Sequence, residues 1–251
     1  MNKPQQLLQI IQNMGWRYFF FRAWFEFKKR SGLLQKTFPV SPSFTEGISL
    51  AEWKKVKKPF FFSDRNELVF SEINKEKLKL DALSILSGNI RFFNNKEYPL
   101  GKQYNWVTNP DTDFTYDVKK HWTAINDYSK EAGDIKFVWE KSRFSFLYTL
   151  IRDEQHNKTS HAEFSFVEIE NWIDNNPINC GPNYRCSQEI SLRVINWIFA
   201  LYYYIDDNAL TEQRWKKIIN AIYWQMHHVY HNINFSRIAV RNNHAITETI
   251  G

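Results

Sequence analysis

Ser187-Gln188-Glu189-Ile190-Ser191-Leu192-Arg193-Val194-Ile195-Asn196-Trp197-Ile198-Phe199-Ala200-Leu201 carries two stripes at once, and reading them decides the fold. Ile190, Val194, Trp197 and Leu201 recur at the spacing of one helix face, with Ser187 placed to cap the start. Beside them Glu189, Arg193 and Asn196 recur at four and three and form a polar stripe. Two readings of that stripe stay open. It is either a solvated face, its Glu–Arg pair worth a few tenths of a kcal/mol, or a polar wall turned inward, as the neighbouring Trp197 and Tyr184 suggest.

The same periodicity spreads outward. Towards the C-terminus Thr211 can cap a helix in which Ile218, Ile222, Met226 and Val229 line up. Towards the N-terminus Ala162, Phe166, Ile169 and Ile173 share a face that Asn176-Pro177 terminates. Before that, Gly133-Asp134 is read as the end of one helix, and another starts near Trp139 with Phe144, Leu147 and Ile151 on its apolar side. The helical pattern begins at about Asp117. Short connections between successive helices imply antiparallel hairpins, which build solenoids, bundles or closed α/α toroids.

The first part of the chain is mixed. Residues from about Gln5 to Arg30 read as one basic, aromatic-rich helix, followed by a loop from Pro39 to Phe44. Short β-prone pieces follow at Phe60-Phe61-Phe62, Leu68-Val69-Phe70 and Ile90-Arg91-Phe92-Phe93. Pro99-Leu100-Gly101 and Asn109-Pro110-Asp111 punctuate a further loop. The expected organisation is a lead-in over residues 1–110 and a helical domain over 111–251.

Composition sets the range of functions. Aromatics are 17% of the 251 residues, enough for a bulky helical core or for a groove of flat faces against sugar rings. Thirty-three Lys and Arg against 27 Asp and Glu give a net charge of +6, which permits an anionic partner without naming one. No zinc-finger spacing or aromatic RNA-binding signature points to nucleic acid, and Lys54-Lys55-Val56-Lys57-Lys58 reads as a solvated face. Cys180 and Cys186 match no metal or redox spacing and read as free thiols or one local bridge. His227, His228 and His231 lack the intervening Glu and a third ligand, so no metal is expected. Leu7-Leu8-Gln9-Ile10-Ile11 is interrupted by Gln and gives no clear signal peptide. The default compartment is cytoplasmic, or periplasmic if another export route operates. The opening helix suits a membrane surface, but packing against the rest of the protein is the expectation.

Three segments carry a resemblance. Gly133-Asp134-Ile135-Lys136-Phe137-Val138-Trp139-Glu140-Lys141-Ser142-Arg143 is the first. Trp172-Ile173-Asp174-Asn175-Asn176-Pro177, leading into Gly181-Pro182-Asn183-Tyr184 and then Glu189 and Arg193, is the second. Asn242-Asn243-His244, with Glu248 one turn on, is the third. In this order they resemble the heparinase II/III-like polysaccharide lyases, whose patterns read Gly-Asp-x-Lys-x-x-Trp-Glu-x-x-Arg, Gly-x-Asn-Trp and Asn-His. Tyr184 departs from the Trp of the second pattern. The basic aromatic helix is similar to that of members associated with surface-polysaccharide gene clusters.

The resemblance implies a mainly α fold, an incomplete α/α toroid of helix hairpins behind the short mixed lead-in, with a β-sandwich domain following in the complete protein. It implies β-elimination on a uronate-containing acidic polysaccharide, with no cofactor. Asn243 would hydrogen-bond the substrate carboxylate and His244 would neutralise it or act as base, with Asn242 as a substitute. Trp139, Glu140, Arg143, Asn183, Tyr184, Glu189 and Arg193 would line the inner end of the groove. The family's tyrosine acid and a β-domain histidine would lie past Gly251, so the chain alone is expected to be inactive. Two other classes stay open: a non-catalytic polysaccharide-binding or assembly protein of surface-glycan biosynthesis, and a toroid glycoside hydrolase with Glu140 and Glu189 as its carboxylates.

Overall fold

The computed structural model describes residues 3–44, 47–60, 62–70 and 74–251. The lead-in holds α1 (Lys3–Met14), α2 (Trp16–Arg30), α3 (Leu33–Thr37), α4 (Leu50–Val56) and α5 (Lys75–Leu86). Two antiparallel hairpins follow: β1 (Asn89–Phe92) with β2 (Lys96–Pro99), and β3 (Tyr128–Ser129) with β4 (Gly133–Asp134). Then come α6 (Lys136–Ser142), α7 (Leu147–Asn157), α8 (Ala162–Asn175), α9 (Ser187–Tyr203), α10 (Glu212–Asn234) and α11 (Asn243–Ile250). The fold is mainly α, as the periodicity predicts.

The opening stripe folds as α9, which packs against α10, α11 and α6. Ile190, Val194, Trp197 and Leu201 are all buried on it. The polar stripe is buried too, which settles its two readings in favour of an inward polar wall. Thr211 caps α10 as expected, its hydroxyl accepting from the Arg214 N–H at 3.2 Å. Ser187 does not cap α9. Cys186 occupies the cap position, and the Ser187 hydroxyl instead accepts from Asn232 Nδ2 at 2.9 Å.

Several local expectations are corrected. The opening helix is broken at Gly15, whose φ of 82° lies where a side chain is disfavoured. Gly133-Asp134 is not a helix end but strand β4, and residues from Asp117 to there form turns, one short 3-10 helix (Trp122–Ala124) and a hairpin. The helix expected through Trp139 and Ile151 is two helices, split where Phe144 adopts a φ of 61°. That strain is offset by packing: the fully buried Phe144 ring stacks on Trp106 at 5.4 Å. Of the β-prone pieces, Ile90–Phe92 lies in β1, with Phe93 at the hairpin turn, whereas Phe60, Phe62 and Leu68–Phe70 are not strand; Phe61 lies outside the described residues.

One hydrophobic cluster ties the lead-in to the helices, joining Phe25, Leu34, Phe38, Leu50 and Phe62 to Trp197, Ile218 and Val229. Polar ties cross the same seam. Trp215 Nε1 donates to the Ile48 carbonyl at 2.8 Å, the Leu50 N–H donates to Glu212 at 3.0 Å, and Asn179 Nδ2 donates to the Pro39 carbonyl at 2.9 Å. A smaller cluster of Val107, Tyr116, Ile125, Ile135 and Val138 supports Trp139 from below the β3–β4 hairpin.

After α10 the chain does not stop but widens into a π turn, Phe235–Val240, closed by the Arg241 N–H on the Ser236 carbonyl at 2.8 Å. Arg241 then takes a left-handed φ of 54° and turns the chain back, so that α11 lies on α9. Asn242 caps α11, its side-chain oxygen accepting from the His244 N–H at 2.9 Å.

Candidate functional site

A cavity of about 540 Å³ lies where the β3–β4 hairpin, the start of α6, the start of α9, the π turn and α11 meet. Trp122, Trp139 and Phe235 give it aromatic walls. Lys136, Arg185 and Arg22 give it cations, opposed by Asp134, Asp127 and Glu248. Ser187, Asn232 and Ser236 add neutral polar groups. The size and the mixed lining suit a sugar-sized ligand.

The cations at the wall are pre-positioned by exposed acids. Arg185 pairs with Asp127 at 2.9 Å and is further fixed by donating to the Ile125 carbonyl at 3.0 Å. Lys136 Nζ lies 3.7 Å from Asp134. Such surface pairs hold a side chain loosely and leave it free to exchange its partner for a ligand anion.

Two titratable groups face the cavity from one side of α11. His244 is held below the usual imidazole range by burial, with Lys136 adding to the effect and Glu189 opposing it. Its Nδ1 lies 3.8 Å from Cys186 Sγ. Glu248, one turn further, has its carboxyl pushed up to about 7 by burial, against the hydroxyl of Ser236, which donates to it at 2.6 Å. Near neutral pH the imidazole is therefore unprotonated, able to accept a proton, while Glu248 divides between its acid and carboxylate forms. Cys186 is pushed up to about 12 by burial, by Glu189 and by Glu248, so its sulfur stays a thiol and is no nucleophile.

Of the residues expected from the sequence, Trp139 and His244 border this cavity. Trp139 is fixed by Nε1 donating to the Pro182 carbonyl at 2.9 Å. Asn242 is the cap of α11, and Asn243 is exposed on its first turn. The rest form a scaffold behind the wall, buried except for the partly exposed Arg143. Arg143 grips Glu189 with two bonds, Nη2 to Oε1 at 2.8 Å and Nε to Oε2 at 2.5 Å, and also binds Glu140. The other Glu140 oxygen accepts from the Phe93 N–H at 2.8 Å. Both carboxylates are thus engaged by protein, and neither borders the cavity.

Arg193 is more deeply held. Its guanidinium lies over the Trp172 ring at 4.1 Å and donates to Gln225 Oε1 at 2.6 Å and to the Asn183 carbonyl at 3.1 Å. Burial brings it down to about 10. Asn183 in turn donates to the Trp106 carbonyl and to Asn176, and the Tyr184 ring packs on Trp172 and His228. These groups brace the loop that positions Cys186 and Trp139; a fork already filled by Gln225 and a carbonyl has no edge left for a substrate carboxylate.

Sequence reasoning did not single out Ser236, Arg185 or Asn232. Their only local signal is the spacing of four between Asn232 and Ser236, near the end of a long helix. His228 is fully buried with Nδ1 at 2.7 Å from Asn179 Oδ1, while the His227 and His231 rings lie 4.3 Å apart, tilted by 47°. Among the described residues no three such side chains converge as metal ligands. Cys180 and Cys186 are free thiols.

No protein-family model matches the chain, and no curated protein sequence matches it. Among solved structures, the chain is similar to a heparan sulfate lyase, the HepC mutant from Pedobacter heparinus, at 11% identity and a TM-score of 0.46. The match covers 98% of this chain and 36% of that one.

Proposed function

We propose that this chain is the helical part of a polysaccharide lyase that cleaves uronate-containing acidic polysaccharide by β-elimination, with the sugar held in the cavity at His244. The observation that carries the reading is the pair on α11: a neutral His244 and a Glu248 poised near 7, one turn apart on the wall of one cavity. Elimination needs such a pair. The base takes the proton from the carbon bearing the carboxylate, the C–H electrons form the double bond, and the glycosidic C–O bond breaks as its oxygen takes a proton. In this reading His244 is the base and the acid form of Glu248 protonates the leaving oxygen. Lys136 and Arg185 exchange their acid partners for the uronate carboxylate, and Trp139 offers a face to the ring.

Two alternatives divide on specific contacts. Hydrolysis by Glu140 and Glu189 is disfavoured because Arg143 holds both carboxylates. A non-catalytic polysaccharide-binding role is favoured by Asn243, which is exposed and does not border the cavity.

Titration with uronate oligosaccharides and their carboxyl-reduced counterparts tests the reading. Carboxylate-dependent binding that falls about tenfold in Lys136→Ala is expected; equal binding of the reduced sugars overturns it. Unsaturated-uronate absorbance that disappears in His244→Ala marks elimination and overturns the expectation that this chain alone is inactive. Binding without turnover that survives Asn243→Ala favours the non-catalytic role, and new reducing ends without that absorbance mark hydrolysis.

A further inference from the structure

α2 has two aromatic faces and the protein body uses one of them. Phe25 is buried, with its ring 4.9 Å from Phe235, and Phe21 lies 6.3 Å from the same ring. On the other side Trp16, Phe20, Trp24 and Phe27 are 61%, 63%, 55% and 54% exposed. Their spacing of four, four and three puts them in one stripe about 16 Å long. The rings are organised against each other: Trp16 stacks on Phe20 at 5.9 Å, and Trp24 on Phe27 at 5.3 Å. Single exposed apolar side chains need no explanation, but four contiguous large rings on one face do.

The charges on the same helix indicate the partner. Arg17 and Lys28 flank the stripe on one side, Arg30 flanks it on the other, and Lys29 adds to the basic end. The acid of this helix, Glu26, is paired with Arg22 at 3.6 Å. Aromatic rings bordered by cations match an anionic lipid surface, where Trp and Phe enter the boundary below the headgroups and Lys and Arg meet the phosphates. An acidic polysaccharide fits less well, because the rings project from a convex helix with no facing wall among the described residues to enclose a sugar. Among the described residues no helix is long and apolar enough to cross a membrane, so the geometry is one of lying on the surface.

We propose that α2 docks the protein on an anionic bilayer surface through Trp16, Phe20, Trp24 and Phe27. The docking is independent of the catalytic reading. It does fix an orientation: Arg22, on the inner side of α2, borders the cavity. The cavity then sits about one helix diameter, roughly 10 Å, from the lipid.

Co-sedimentation of the whole chain with phosphatidylcholine vesicles, with and without phosphatidylglycerol, tests the docking. Binding is expected to the mixed vesicles, weaker in high salt, with a blue shift of tryptophan emission. The double variant Phe20→Ser/Trp24→Ser and the charge variant Lys29→Glu/Arg30→Glu should each lower the apparent affinity by about tenfold or more. Tyr230→Ser, which removes an even more exposed ring elsewhere, should leave it unchanged, and unaltered circular dichroism checks the fold of each variant. The proposal is overturned if the wild type stays in the supernatant, if neutral vesicles bind it equally, or if the stripe variants bind like wild type. It is also overturned if light scattering finds a dimer that the stripe variant abolishes, or if soluble polyuronate rather than vesicles shifts the emission.

Discussion

Glu248 is the residue whose environment is most out of step with its chemistry. Its carboxyl stands at about 7 in the fold against an ordinary 4.5. Because the folded value is the higher one, the fold favours the protonated form. That contribution is complete below about pH 4.5 and is lost as the pH rises through about 7. Glu248→Gln keeps an acceptor for Ser236 and removes the charge, so its melting temperature should stay level between about pH 5 and 8 where the wild type declines by a few degrees. Parallel melting curves for the two proteins would sink the assignment. His228 gives the opposite sign. Burial, then His121, His227 and Arg193, bring it down to about 3 from 6.5, so stability is present above about 6.5 and is lost as the pH falls towards 3. His228→Phe, among Phe38, Trp122 and Tyr184, should cost about 1–2 kcal/mol at neutral pH through the lost bond to Asn179, yet unfold at lower pH than the wild type in acid titrations followed by fluorescence.

Among the elements, α11 brings both titratable groups to the cavity, and one cap starts it. Asn242→Ala removes the acceptor of the His244 N–H and should cost about 1 kcal/mol by chemical denaturation, while Asn242→Asp should keep most of it. If the alanine variant melts unchanged, the cap does not anchor the helix. The spacing of four between His244 and Glu248 is legible in the sequence, as are the faces of α8, α9 and α10, since each depends on neighbours within a turn or two. The break between α6 and α7 is not legible, because Phe144 leaves helical geometry to stack on Trp106, far away in the chain. The β3–β4 hairpin is short enough that two residue pairs carry it, with no alternation to read. Ser236 is not legible either, because its link to Glu248 exists only after the π turn and Arg241 fold the chain back.

For the whole molecule, one hydrophobic cluster joins Phe25, Phe38 and Leu50 to Trp197 and Ile218. Far-ultraviolet circular dichroism and tryptophan fluorescence should therefore report one coincident unfolding transition. Two separated transitions would show that residues 1–110 and 111–251 unfold independently. The aromatic content could stand for a core or a sugar groove when read as composition; the fold puts most Trp into the core and leaves Trp16 and Trp24 outside it. The ties across the seam also have a consequence in time. Leu50 waits for Glu212, 162 residues later, and Pro39 for Asn179, 140 residues later. At a synthesis rate of about 5–20 residues per second, the first helices leave the ribosome roughly ten to thirty seconds before their partners. During that interval both aromatic faces of α2 are bare, so the nascent chain is at its most adhesive before it has a body to fold onto.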